Sequence, residues 1–123
     1  MESASIVAAL KPALLAVAPQ LSISADRPDL YALVGRKPSP FPQHKGHPMD
    51  FASIRVGKAY VSFHLMPIYM SPALQTTIQP GLKKRMQGKS CFNFTQVPDT
   101  KLVAELTALV NRGAAEWTAK GWL

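Results

Sequence analysis

The stretch that decides the fold is "MDFASIRVGKAYVSFHLM", Met49 to Met66. Two runs rich in β-branched and aromatic residues flank Gly57-Lys58. A glycine at the first central position is what a two-residue type II′ hairpin turn requires, so the segment predicts a β-hairpin. The second run alternates: Val61, Phe63 and Leu65 point one way, and Tyr60, Ser62, His64 and Met66 the other.

Downstream, "PIYMSPALQTTIQPGLKKRMQG" is punctuated by Pro67, Pro72, Pro80 and Gly81. It predicts short helices at Pro72–Thr77 and Gly81–Met86, the second ended by Gly88. "KSCFNFT" predicts a strand with Phe92 and Phe94 on one face and Cys91 and Asn93 on the other. Asp99 is placed to cap a long helix from Thr100 to about Lys120, with Leu102, Leu106, Leu109, Val110, Gly113 and Trp117 as its buried stripe.

Upstream, "RKPSPFPQHKGHP" (36–48) holds four prolines in thirteen residues and reads as a surface loop. "ISADRPDLYALVG" (23–35) carries a turn signal at Asp26-Arg27-Pro28 and a strand at Leu30–Val34 ended by Gly35. Residues 3–18 predict a helix with Ile6, Val7, Leu10, Leu14 and Val17 on its buried face. Ser3 or Ser5 is its expected cap, and Pro12 either kinks it or opens a second short helix. The fold class that follows is α+β. It is a single compact domain over 1–123: a mostly antiparallel sheet of about four or five strands, with N- and C-terminal helices packed on one face.

Composition narrows the functional classes. At 123 residues, 47% hydrophobic and 17% charged, the chain supports one core and is not disordered. One cysteine excludes an internal disulfide and fits a reducing compartment. The first charge is Glu2, and Lys11-Pro12 interrupt the apolar N-terminal run, which argues against a signal peptide. No apolar stretch reaches the roughly 18 residues of a membrane span, so the expectation is a cytoplasmic protein without a membrane partner. The net charge of +7 favours acidic partners but is ordinary for a small domain.

"RMQGKSCFNF" (85–94) contains a Gly-Lys-Ser triplet. A phosphate-binding loop needs four residues between its glycines and runs from strand into helix. Here six residues separate Gly81 from Gly88, and the predicted order is helix into strand. Nucleotide hydrolysis is therefore not expected.

The stretches "DLYALVG" (29–35), the hairpin with its "HLMPIYMSP" exit (64–72), and "LKKRMQGKSCFNF" (82–94) before the capped helix "PDTKLVAELTALVNRG" resemble the YdhG-like family. These are small, mostly bacterial α+β domains, largely of unknown function. His64, Pro67, Gly88-Lys89 and Phe92-Phe94 fill the places the family pattern marks, over about residues 28–115. The resemblance implies a compact sheet-and-helix fold. Some relatives carry a frataxin-like iron-chaperone label, which implies clustered carboxylates. This chain instead scatters its acids: Glu2, Asp26, Asp29, Asp50, Asp99, Glu105 and Glu116.

Four activities compete. A binding module for a small ligand or protein partner draws on Tyr60, His64, Met66, Tyr69, Met70 and Met86; Tyr60, His64 and Tyr69 are the candidate ligand-binding side chains, with Lys89 and Cys91 at the edge. A metal carrier draws on His64, Cys91 and the loop pair His44 and His47. Weak nucleic-acid binding draws on Arg36, Lys37, Lys45, Lys83, Lys84, Arg85 and Lys89. An enzyme has only His64 with Tyr60 as a general acid–base pair. The binding module is the favoured reading, with no enzymatic activity, cofactor or resident metal, and a sheet edge that can pair into a homodimer.

Overall fold

The computed structural model describes residues 1–123 as one antiparallel six-stranded sheet with helices. The strands are β1 (Ser22–Arg27), β2 (Leu30–Val34), β3 (Asp50–Val56), β4 (Val61–Leu65), β5 (Met86–Gln87) and β6 (Cys91–Phe94), in the order β1-β2-β3-β4-β6-β5. The helices are α1 (Ser3–Leu10), α2 (Pro12–Leu15), α3 (Met66–Met70), α4 (Pro72–Gln75), α5 (Pro80–Lys83) and α6 (Thr100–Ala119). The α+β class holds, but the sheet has more strands than expected.

The alternation in β4 and β6 does what the sequence requires. Val61, Phe63, Leu65, Phe92 and Phe94 are fully buried, and Ile54 is nearly so. They meet Ile6, Leu10 and Leu14 from the N-terminal helices and Leu106, Leu109, Val110 and Trp117 from α6 in a single core. Burying one such side chain contributes roughly 1.5–3 kcal/mol, so this cluster supplies the main driving force. The other sheet face holds Ser53, Arg55, Ser62, His64, Cys91 and Asn93, which are half-buried or exposed.

Four expectations are corrected. The hairpin is not a two-residue type II′ turn: Gly57–Tyr60 form a four-residue connection closed by Gly57 N–H donating to the Tyr60 carbonyl at 2.9 Å, and Gly57 lacks a positive φ. A turn at Gly57-Lys58 pairs Ile54 with Val61; the structure pairs Ile54 with Phe63 and Val56 with Val61. The registers differ by two residues, so both keep every apolar side chain on the core face, and strand patterning cannot separate them.

Asp26 and Arg27 belong to β1, and the turn lies at Pro28-Asp29. This edge strand shows no period-two burial, so it escapes pattern recognition. Met86-Gln87 form β5 rather than the end of a helix; Gly88, at φ 74°, lies in the connection from β5 to β6, where a left-handed residue favours glycine. Neither Ser3 nor Ser5 caps α1; Glu2 occupies the cap position without a side-chain bond.

Pro12 opens α2, and the proline-rich loop contains a 3-10 turn at Pro42–His44. Helix α6 begins as expected, with Asp99 accepting from Leu102 N–H at 2.8 Å. At Gly113 an added Cβ would lie 2.8 Å from the Pro67 Cβ, so α6 and α3 approach too closely for any side chain. Gly113→Ala should therefore destabilise the fold. Overpacking costs about 1–3 kcal/mol, which outweighs the helix-propensity gain of up to about 1 kcal/mol. A urea denaturation midpoint equal to or above that of the parent protein would refute this.

Candidate functional site

The five candidate residues fall into four places. Tyr69 sits on α3, 59% exposed, beside a cavity of about 590 Å³. That cavity lies between α3 and the proline-rich segment and is lined by Phe41, Gln43, His44, His47, Pro48, Met49, Asp50, Met66, Tyr69 and Met70. His64 and Cys91 face each other across β4 and β6 on the sheet face away from the core. Tyr60 and Lys89 belong to neither: Tyr60 lies in the β3–β4 connection and Lys89 in the exposed β5–β6 connection.

His64 is built into its position by cross-strand register, since it pairs with Ser53 on one side and Cys91 on the other. Its Nδ1 is 3.2 Å from Cys91 Sγ and 3.2 Å from Ser90 Oγ, so two hydroxyl- or thiol-type groups share one ring nitrogen. Burial holds the imidazole below its ordinary pKa, with the Asp50 carboxylate pulling the other way. A separate polar chain runs beside it. Ser62 Oγ donates to Asn93 Oδ1 at 2.8 Å, Asn93 Nδ2 to Gln87 Oε1 at 2.6 Å, and Tyr60 hydroxyl to the same oxygen at 3.4 Å. Tyr60 lies outside β4, and it and His64 make their hydrogen bonds to different partners, not to each other.

The cavity depends on how the proline-rich loop is held. Gly35 N–H donates to the Met49 carbonyl at 2.9 Å and closes the loop at its base. Inside it, Ser39 Oγ lies 2.6 Å from His44 Nδ1 and accepts from Phe41 N–H at 3.1 Å. A ladder of edge-to-face rings joins the loop to the core: Phe51 to Trp117 (5.3 Å), Trp117 to Trp122 (5.7 Å), Trp122 to Phe41 (5.6 Å) and Phe41 to His44 (5.7 Å). Such pairs contribute about 0.5–1.5 kcal/mol each beyond area burial. Lys37 Nζ donates to the Gly121 carbonyl at 3.4 Å, which adds a polar tie between the same segments.

His44 and His47, read from sequence as a metal pair, thus share a cavity with Tyr69, Met66 and Met70, read as ligand-binding. No group of three His, Cys, Asp or Glu side chains converges to hold a metal ion. Phe41, Gln43, Pro48, Met49 and Asp50 were not anticipated as lining. No local pattern marks them: Phe41, Gln43 and Pro48 lie within the proline-rich loop, and Met49 and Asp50 directly follow it. The basic residues Lys84 and Arg85 lie elsewhere, along an open polar groove with Lys101 and Glu105. Comparison with protein-family models, with curated proteins and with solved structures finds no match for this chain.

Three outcomes follow. His64 should titrate below the ordinary value of about 6.5, and Asp50→Asn should lower it further; an NMR titration showing a raised value would contradict the burial argument. Because the folded form holds this imidazole neutral, protons bind the unfolded chain first. Stability should fall as pH drops from about 6.5 through the folded-state value, and His64→Asn should flatten that slope. Trp122→Ala should speed amide exchange in residues 36–48 while leaving β4 and β6 protected.

Proposed function

We propose that the chain is a non-enzymatic binding module of YdhG-like kind, and that its small-ligand site is the cavity between residues 41–50 and α3. The observation that carries this reading is the lining itself. Phe41, Met49, Met66, Met70 and Tyr69 supply apolar and aromatic wall, and Gln43, His44, His47 and Asp50 supply a few polar groups. That mixture, at about 590 Å³, falls in the range of roughly 300–1,000 Å³ typical of ligand sites.

The element order, with a hairpin leading into a Pro-containing helical turn and a Gly-Lys entering a Phe-ended strand, supports the YdhG-like assignment. His64 is not part of the lining; Asp50, which is, opposes the burial-driven lowering of its pKa. Tyr60, Lys89 and Cys91 carry no ligand contact in this reading.

A fragment library screened by methyl and amide NMR tests it. Hits should shift the Met66 and Met70 methyl groups and the Tyr69 and Phe41 rings together. Tyr69→Ala should weaken a hit about tenfold, equivalent to about 1.4 kcal/mol, while Tyr60→Ala and Lys89→Ala leave it unchanged. Hits that instead map to Lys84, Arg85 and Lys101 would sink the reading.

A further inference from the structure

The charge distribution of this cavity runs opposite to that of the protein. The chain carries 14 Lys and Arg against 7 Asp and Glu, yet none of the 14 lines the cavity and one acid, Asp50, does. Asp50 is exposed and takes part in neither of the two ion pairs in the chain, Lys11–Asp26 and Arg27–Asp29. It is the one carboxylate of an open, partly apolar cleft whose other polar lining is Gln43, His44 and His47.

The walls add to this preference. Aromatic faces attract cations through their quadrupoles, most strongly where water is excluded. Phe41, packed edge-to-face with Trp122 and His44, and Tyr69, on the exposed rim, bring two aromatic rings to the lining, and Met66 and Met70 bring polarizable thioethers. An anionic ligand would meet the Asp50 carboxylate with no guanidinium or ammonium to offset it. A net charge of +7 repels cations at long range, so any preference for them arises from contacts inside the cavity.

We infer that the ligand of this cavity is an organic cation: an ammonium group borne on an apolar or aromatic body, with the ammonium at Asp50 and the body between Phe41, Tyr69 and the methionines. The inference rests on the reading of the cavity as the ligand site.

Three probes of similar shape and different charge separate the possibilities: benzyltrimethylammonium, neutral benzyl methyl sulfone and anionic phenylmethanesulfonate. Each is titrated into the full chain at pH 8 and followed by the Met66, Met70 and Tyr69 resonances. The ammonium should bind at least about tenfold tighter than the sulfone, and the sulfonate weakest. Asp50→Asn should remove most of that difference while leaving the sulfone within about twofold. Tyr69→Leu should weaken the ammonium more than the sulfone. Equal binding of ammonium and sulfone, or tighter binding of the sulfonate, would overturn the cation preference and leave the cavity standing as a ligand site. If none of the three moves these resonances and fragments bind elsewhere, the cavity reading and this inference both fall.

Discussion

Helix α6 can lie against α3 only because position 113 carries no side chain, and the placement of everything near the cavity follows from that contact. With Gly113 against Pro67, α3 is fixed at the exit of β4, where Met66, Tyr69 and Met70 line one wall. The same helix carries Trp117 into the core against Phe51. Trp117 then seats Trp122, and Trp122 seats Phe41. One close helix–helix approach therefore places both walls: α3 directly, and the proline-rich loop through a chain of rings. A loop without secondary-structure periodicity is expensive to order, and this ladder, with the hydrogen bonds of Ser39 and Gly35, offsets that cost.

The uncovered sheet face has a different logic. Its polar residues are satisfied by their neighbours across the strands, as in the run Ser62, Asn93, Gln87 and Tyr60, and in His64 with Ser90 and Cys91. Residues that looked like a site because they combine hydroxyl, imidazole and thiol chemistry are largely occupied with one another. Asp50 lines the cavity, and its carboxylate also works against the burial that lowers the His64 pKa.

Much of the fold was legible. The alternation of Val61, Phe63 and Leu65, the pair Phe92 and Phe94, the β2 segment and the Asp99-capped α6 all follow from local rules, because each encodes its period and its cap within a few residues. The site was legible only in parts. Tyr69, Met66 and Met70 were singled out for one reason and His44 and His47 for another, and nothing in the order of residues says that they line one cavity. His64 was placed correctly on the polar face of its strand, but its partners Ser90 and Cys91 emerge only once β4 and β6 are in register.

The sequence by itself determined which residues face inward, where the long helix begins, and that the chain makes an α+β sheet domain. These are local properties, set by side-chain period and by the hydrogen-bonding needs of helix ends. The tertiary structure alone decided the hairpin register, since two registers a pair of residues apart bury the same side chains. It also decided that Ser22–Arg27 adds an edge strand, because a strand exposed on both faces carries no period to read. And it alone brought residues 41–50 against α3, because that contact runs through Trp117 and Trp122, far along the chain, and long-range packing leaves no mark in local pattern.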